Sequence, residues 1–420
     1  MSETGTHPLK LARDDLDFTQ EDLAVATGLS TKTVKRAEQG EPLDQYTISR
    51  ICDYFSEHYH RRIDQKELGL RKRHRKNGED GRKEAPEAVQ VAKRQLSNLE
   101  KIEDDTAFSP EILRVGGLAI NLIILARGRY GPKEMHCFYD GATVQLPPEF
   151  ESMKKALMSD LEMRKANGET KLPYNSQTYK LKEFSTGYRE IIDGKEVPVL
   201  RLKFGPTDYV TQMVTDLNIG NPIRERYAKA ACITEHPVPE FATLLGINLN
   251  FITKDGYLLL TERSSQAFVA GGRLHTSVGE NLLRPLDTRQ SGAPDPFRCA
   301  LRGAQEELGV TLHDEDVVFS TFTVMPDSCQ YSLISTIQIQ RTRAEIEDLW
   351  RFAVPSDKWE SRRLLFYPHH PDSIAQFAVS TWDRWFNVAL AAVVLSLLDV
   401  GYSKEQIDAA FLHVGSRISR

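Results

Sequence analysis

The charged segment RKRHRKNGEDGRKEAP, residues 71–86, most strongly constrains how this chain can fold. Ala85 is its only aliphatic side chain, so the segment cannot bury an apolar face. It is therefore predicted to be a linker or a solvated helix end, and an arm that contacts phosphate groups is the alternative. A chain of 420 residues with such a break is predicted to form several domains.

The composition is that of an ordinary globular protein, with 40% hydrophobic residues, 27% charged residues and a net charge of -5. The five cysteines are scattered, without a C-x-x-C pair, which favours free thiols in a cytoplasmic protein over disulfides or a zinc site. The amino terminus is too polar for a signal peptide. The most apolar runs, 115–126 and 388–400, are too short to span a membrane and are predicted to be buried core elements.

The predicted fold is multidomain: an all-α domain, then an α+β region, then a region of strands and helices, for which the family resemblance described below implies an α/β/α sandwich, with carboxyl-terminal helices. The predicted boundaries are 1–70 for the all-α domain, 71–109 for the charged linker and a spacer helix, 110–243 for the α+β accessory region, 244–370 for the sandwich, and 371–420 for the helices packed on it. We find no internal repeat and no chemical motif in residues 110–240.

Strand signals are clearest after residue 245. GINLNFITKDGYLLLTERS, residues 246–264, predicts two strands joined by a turn at Asp255-Gly256. Further strands are predicted at 317–324 and 331–340, and helices at about 371–379, 383–400 and 403–417. The pair His369-His370 is predicted to lie in a surface loop rather than to bind metal, because no third ligand is in register. Trp382, Trp385 and Phe386 are predicted to be core or interface residues rather than a base-stacking site.

The segment TQEDLAVATGLSTKTVKRAEQG, residues 19–40, predicts two short helices and a tight turn. Thr19 is positioned to cap the first helix, and Leu23, Ala24 and Val34 occupy positions that face a core. The turn is predicted at Gly28, where Leu29 packs and Ser30 caps the second helix.

This helix-turn-helix pattern resembles the Cro/repressor-type DNA-binding family over residues 8–56. The resemblance implies that residues 31–39 enter the major groove of double-stranded DNA as part of a homodimer. It implies base contacts from Thr31, Lys32 and Lys35, while Gln20, Thr33 and Arg36 contact the backbone or brace the helix. A protein-interaction module is the alternative, because residues 1–76 contain 14 Lys and Arg against 13 Asp and Glu.

A second motif lies in PDPFRCALRGAQEELGV, residues 294–310. Asp295 is predicted to cap a helix that begins at Pro296, runs to Leu308 and is stopped by Gly309. Glu306 and Glu307 are adjacent on it, and clustered carboxylates of this kind suit a magnesium ion bound to a diphosphate. The alternative is that both glutamates are simply solvated.

This helix, with the preceding GGRLHTSVGE, resembles the signature of the Nudix hydrolase family: Gly, five residues, Glu, seven residues, then Arg-Glu-U-x-Glu-Glu-x-Gly-U, where U is a bulky aliphatic residue. The resemblance covers residues 244–370. It implies a phosphate-binding loop at Gly271 and Gly272, and Mg²⁺ bound by Glu306 and Glu307 with Glu280 as a further ligand. In an active enzyme, the catalytic residues would be Glu280, Arg302, Glu306 and Glu307.

The departures from that signature bear on activity. Gly303 stands where the family has a glutamate that binds metal or activates water, and about 14 residues are inserted before Arg302. Glycine inside a helix costs roughly 0.5–1 kcal/mol relative to alanine, so we expect either drift or the close approach of a ligand or backbone. The candidates for a substitute base are Asp287, Asp295, Asp327 and Glu360.

Three hypotheses follow. The first is a cytoplasmic transcriptional regulator that binds DNA and whose Nudix-like domain binds a nucleotide-diphosphate-type metabolite as effector. The second is an active magnesium-dependent hydrolase of a nucleoside diphosphate derivative, with the helix-turn-helix used for localisation or autoregulation. The third is an adaptor that binds only other proteins. Gly303 and the longer loop favour the first hypothesis, and the retained glutamates favour the second.

Overall fold

The computed structural model describes residues 7–16, 18–27, 31–43, 45–59, 61, 63–71, 110–143, 145–169, 172–192, 194–265, 271–352 and 361–418. The chain divides into two compact units, Met1–Lys83 and Glu84–Arg420, and each is considered by itself. The protein is therefore multidomain, with helices in both units and mixed β-sheets in the second. The predicted turn at 28–30 lies outside the described residues. The predicted linker and spacer helix also lie outside them, except for Arg71.

The first unit is helical. Its described helices are α1 (Pro8–Asp14), α2 (Gln20–Thr27), α3 (Thr31–Glu38) and α4 (Gln45–His58). Thr19 caps α2 as predicted, because its Oγ1 accepts a hydrogen bond of 3.1 Å from the Asp22 N–H, and the Asp22 carboxylate accepts one of 2.8 Å from the Thr19 N–H. Leu23, Ala24 and Val34 are buried in the core of this unit, also as predicted.

The second unit contains a large sheet. Its strands are β1 (Glu111–Val115), β2 (Leu118–Tyr130), β6 (Leu245–Ile252), β7 (Tyr257–Arg263), β8 (Leu274–His275), β9 (Val278–Asn281), β10 (Phe319–Met325), β11 (Gln330–Gln338) and β12 (Ser361–Pro368). The order is β1-β2-β10-β11-β6-β7-β12, with β8 paired to β7 and β9 paired to β6. The predicted hairpin is confirmed as β6 and β7, and Gly256 takes a φ of 81° in its turn.

A smaller sheet contains β3 (Met135–Tyr139), β4 (Gln177–Ile192) and β5 (Lys195–Asp208), in the order β3-β5-β4. Its inward residues share one core cluster with the large sheet. The predicted boundary between residues 243 and 244 does not match this architecture. β2 lies before that boundary and yet pairs with β10, so the predicted α+β accessory region shares a sheet and a compact unit with the residues that follow it.

Helices cover both faces of the large sheet. The described α-helices of this unit are α5 (Pro148–Ala166), α6 (Tyr209–Val214), α7 (Pro222–Ala230), α8 (Pro296–Leu308), α9 (Arg343–Phe352), α10 (Pro371–Ser380), α11 (Asn387–Asp399) and α12 (Lys404–Ile418). α8 packs in the core on one face, whereas α10, α11 and α12 pack in the core on the other. Most residues of the apolar runs at 115–126 and 388–400 are buried, chiefly in β2 and α11, as predicted. Among the described helices, none has the length and apolar character needed to cross a membrane.

Candidate functional site

The centre of the candidate site is α8, whose bounds agree with the prediction. The Asp295 carboxylate accepts hydrogen bonds from the N–H groups of Phe297 and Arg298, and Pro296 begins the helix. Gly309 ends it with a φ of 71°, a conformation that favours glycine. The inward face of α8 packs into the core, and this packing determines where the remaining side chains project.

Gly303 lies against β9. A Cβ atom at this position would lie 2.5 Å from Glu280 Cγ and 2.8 Å from Val278 Cγ1. Both distances are far shorter than a normal contact between carbon atoms. The glycine is therefore explained by the close approach of two side chains of a neighbouring strand. The expectation of a ligand or a backbone at this position is wrong for the described structure.

Arg302 lies among three carboxylates. Its Nε and Nη2 donate to the two carboxylate oxygens of Asp287 at 3.0 Å each, Nη2 also donates to Glu280 at 3.2 Å, and Nη1 donates to Glu306 at 2.7 Å. Burial alone would lower the pKa of Arg302, but the hydrogen bonds that it donates to Asp287 and the charge of Glu280 raise that pKa above its ordinary value. The single Arg302 guanidinium thus faces the carboxylates of Glu280, Asp287 and Glu306, so the half-buried cluster has more acidic than basic groups.

Glu307 belongs to a different contact. It is buried, and its Oε1 accepts a hydrogen bond of 2.9 Å from the backbone N–H of Gly279 on β9. This bond ties α8 to the strand that carries Glu280. Of the four predicted catalytic residues, the structure brings three together: Glu280, Arg302 and Glu306. The fourth, Glu307, accepts a hydrogen bond from the backbone of β9.

Arg302 lies between two of the residues predicted to bind magnesium. The predicted ligands were Glu306 and Glu307, with Glu280 as a further one. Within the described ranges, no three His, Cys, Asp or Glu side chains are placed to hold a metal ion together. The Arg302 guanidinium instead occupies the space between Glu280 and Glu306, and a cation there would have to displace it.

A cleft of about 400 Å³ lies beside this cluster on the outer side of α8. Arg298, Arg302 and Glu306 contribute its charged groups, and its other lining residues are Leu286, Leu301, Gln305, Thr311 and Leu312. Guanidinium groups are well suited to phosphate, because their forked donors match its oxygens. The Glu306 carboxylate, which holds Arg302 Nη1, competes for the same donors.

The glycine turn lies between β7 and β8. Gly272 has a φ of 74°, its N–H donates to the Arg263 carbonyl at 3.1 Å, and a Cβ there would meet no atom within 4 Å. Gly271 precedes it in the same exposed turn. The hydrogen bond from the Gly272 N–H anchors the turn to β7.

Two of the four residues predicted as a substitute base, Asp287 and Asp295, have structural roles. Asp287 is fully buried beside Arg302 and also accepts a bond of 2.8 Å from the Leu283 N–H, and Asp295 caps α8. Asp327 lies in the turn after β10, 3.5 Å from the side-chain amide of Asn387. Glu360 lies outside the described residues.

His369 and His370 do not converge. His369 is half-buried, its Nε2 lies 2.9 Å from Ser396 Oγ, and partial burial lowers its pKa to about 4. His370 caps α10. The segment around the two histidines, which was predicted to be a surface loop, directly follows a strand, because β12 ends at Pro368. Trp385 is 2% exposed and packs in the core as predicted.

In the first unit, α3 carries the residues predicted to contact DNA. Thr31, Lys32 and Lys35 are exposed, whereas Thr33 and Arg36 are half-buried. Arg36 pairs with Glu41 at 2.6 Å. These positions leave three polar side chains of one short helix open to solvent.

Glu38 links three helices of this unit. It accepts hydrogen bonds of 2.6 Å from Arg13 Nε on α1 and 2.5 Å from the side-chain amide of Gln20 on α2. The hydrogen bond to Glu38 raises the pKa of Arg13 against the opposing effect of burial. Gln20 therefore braces α3 in this structure, which was one of its two predicted roles.

Sequence reasoning missed two charged groups in the second unit. Glu262 is buried and accepts hydrogen bonds from Arg363 at 2.7 Å and Arg384 at 3.0 Å. Lys180 is buried beside Asp216. Both groups could have been noticed in the sequence, because each is a charged residue within an apolar strand pattern, LLLTER for Glu262 and TYKLK for Lys180.

Comparison with known proteins yields little. No family model matches the chain, and no curated protein matches it. Among solved structures, the crystal structure of DR0079 from Deinococcus radiodurans is 13% identical with a TM-score of 0.25, covering 36% of this chain and 80% of that chain. A similarity of this size carries no argument about fold or function.

Proposed function

We propose that the protein is a DNA-binding transcriptional regulator whose second unit binds a nucleotide-diphosphate-type metabolite as effector. The observation that carries the DNA-binding part is α3, which presents Thr31, Lys32 and Lys35 to solvent while Glu38 holds it to α1 and α2. A recognition helix needs both properties, because base readout requires exposed side chains on a fixed backbone. We further propose that it acts as a cytoplasmic homodimer on paired half-sites.

The effector part is supported by the cleft beside α8. Arg298 and Arg302 line it, and Glu306 holds Arg302 by a bond that a phosphate could replace. The Glu306 side chain is 29% exposed, so it can turn towards solvent at modest cost. Exchange of Glu306 for a phosphate at Arg302 would give two states with different ligand contacts, which an allosteric response requires.

The first test concerns DNA. Operator sequences would be selected from random DNA with the full-length protein, and affinity would be measured for the wild type, Lys35→Ala and Lys66→Ala. Lys66 is an exposed lysine of the same unit outside α3 and is the matched control. We expect Lys35→Ala to weaken binding about tenfold and Lys66→Ala to leave it unchanged. Equal affinity of all three proteins would refute the assignment of α3.

The second test concerns the effector. UDP-glucose, NAD and ATP would be titrated against the wild type and Glu306→Gln, with and without the selected DNA. If phosphate displaces Glu306, the substitution raises ligand affinity several-fold, because it removes the competing carboxylate. A metal-dependent site predicts the opposite. Turnover of any of these compounds with Mg²⁺, lost in Glu306→Gln, would favour the hydrolase hypothesis and overturn the sensor.

A further inference from the structure

A second cleft, of about 530 Å³, lies in the part of the second unit where no chemical motif was predicted. It is formed by α5, the ends of β4 and β5, and the start of α6. Three lysines line it, together with apolar groups that include Met158 and Phe241. The volume is within the range of about 300–1,000 Å³ that small-molecule sites occupy, and the mixture of apolar and charged groups is typical of them.

Lys180 is the unusual group of this cleft. It lies on β4 and is only 3% exposed, although it contributes to the lining. An ammonium group has three donors. Within the described part of the chain, the Lys180 Nζ has one hydrogen-bond acceptor, the carbonyl of Pro239. A buried cation with donors to spare, next to an open volume, is suited to an additional acceptor.

The neighbourhood of Lys180 supports this reading. Of the residues that line the cleft, Thr207 and Thr211 add hydroxyl groups to its wall. Burial lowers the pKa of Lys180 to about 8, while the nearby charge of Asp216 opposes the shift. An anion beside Nζ would favour the charged ammonium and offset part of the cost of its burial.

The other two lysines differ from Lys180. Lys154 donates to the Asp208 carboxylate and, at 2.8 Å, to Thr211 Oγ1, so it is held in place at the wall. The Lys155 side chain is 81% exposed and lies at the rim, 3.9 Å from Glu151. Lys180 is therefore the buried lysine of the lining, whereas Lys155 belongs to a solvated ion pair.

We propose that this cleft binds a small organic anion, whose carboxylate or phosphate head group contacts Lys180 Nζ and whose apolar body packs on Met158 and Phe241. The site is separate from the α8 cleft in its lining residues, and the proposal does not depend on the function proposed above.

Thermal melts of the full chain test this site with three matched aromatic probes at about 10 mM: benzoate, phenyl phosphate and the uncharged benzyl alcohol. At least one anion is expected to raise the Tm of the wild type by about 2 °C, and benzyl alcohol is not. The two anions distinguish a carboxylate site from a phosphate site. Sodium chloride at equal ionic strength controls for screening.

Lys180→Met removes the buried cation with little change in volume, and Lys155→Met is the matched rim control. We expect Lys180→Met to weaken anion binding at least about tenfold and Lys155→Met to leave it unchanged. If Lys180→Met does not fold, Met158→Trp fills the cleft and is expected to remove the Tm shift. The proposal is overturned if neither anion raises the Tm, if benzyl alcohol raises it equally, or if the shift survives in Lys180→Met or Met158→Trp.

Discussion

Replacing Gly303 with alanine tests the close contact between α8 and β9. In an open helical position this change stabilises a protein by about 0.5–1 kcal/mol, because alanine has the higher helix propensity. At position 303 the added Cβ would lie 2.5 Å from Glu280 Cγ and 2.8 Å from Val278 Cγ1. Either the Glu280 side chain or the helix must therefore move.

The magnitude follows from these two effects. Overpacking in a well-packed interior costs about 1–3 kcal/mol. Displacement of Glu280 would also weaken its hydrogen bond of 3.2 Å to Arg302, which is 11% exposed and cannot exchange that bond freely for water. After subtraction of the propensity gain, we expect Gly303→Ala to destabilise the second unit by about 1–2 kcal/mol.

Urea unfolding followed by tryptophan fluorescence is the assay. All four tryptophans, at positions 350, 359, 382 and 385, belong to the second unit, so the signal reports that unit alone. Gly415→Ala is the matched control, because Gly415 also lies in a helix, α12, and a Cβ there meets no atom within 4 Å. The control is expected to stabilise the unit by about 0.5–1 kcal/mol.

A double-mutant cycle identifies the cause. Glu280→Ala removes the Cγ atom that the new methyl group would meet, so Gly303→Ala is expected to cost at least about 1 kcal/mol less in that background. The reasoning is refuted if Gly303→Ala stabilises as much as Gly415→Ala, or if its cost is the same with and without Glu280.

Further predictions concern charge, DNA and pH. Arg302→Met leaves Asp287 and its neighbours without their cation and is expected to destabilise the second unit by about 3–5 kcal/mol in urea, against little change for the exposed Arg298→Met. Addition of 10 mM Mg²⁺ is expected to leave the wild-type Tm unchanged relative to a salt control, and a clear rise would show that the ion displaces Arg302. For operator DNA, Lys35→Ala is expected to reduce the slope of log affinity against log salt by about 0.9 if Lys35 touches phosphate, with Lys66→Ala unchanged. His369 is neutral when folded, with a pKa of about 4, whereas its unfolded pKa is about 6.5, so stability is lost as the pH falls below 6.5. The free energy of unfolding is expected to fall by about 2 kcal/mol less in His369→Gln than in the wild type between pH 7 and pH 5. The same pH dependence of urea unfolding in both proteins would contradict this.

The elements predicted correctly are those whose signals lie close together in the chain. Asp295, Pro296 and Gly309 mark the ends of α8 by capping and conformational preference, and the structure has the helix at the predicted bounds. The Asp255-Gly256 turn marks the β6–β7 hairpin in the same way. Local physical chemistry was sufficient in both cases.

The features that were missed depend on contacts between distant parts of the chain. β2 joins β10 across nearly 200 residues, and its pattern of apolar residues does not indicate which strand it will pair with. β12 was not predicted, because the arginines of SRRLLFYP obscure a strand whose partner, β7, contributes Glu262 to bind them. The surroundings of Lys180 depend likewise on elements that are brought together only by folding.

The contact between Gly303 and Glu280 also changes what the lack of a glutamate at position 303 means. Glu280 Cγ lies 2.5 Å from where a side chain at 303 would begin, so the strand places a carboxylate-bearing side chain where the helix has none. Glutamates at both positions would compete for one space. Gly303 is therefore not by itself evidence that a carboxylate has been lost. Arg302 opposes metal binding more directly, because its guanidinium already binds Glu280, Asp287 and Glu306. Whether this cluster accepts a cation or a phosphate group thus depends on how readily Arg302 exchanges Glu306 for another partner, and not on residue 303.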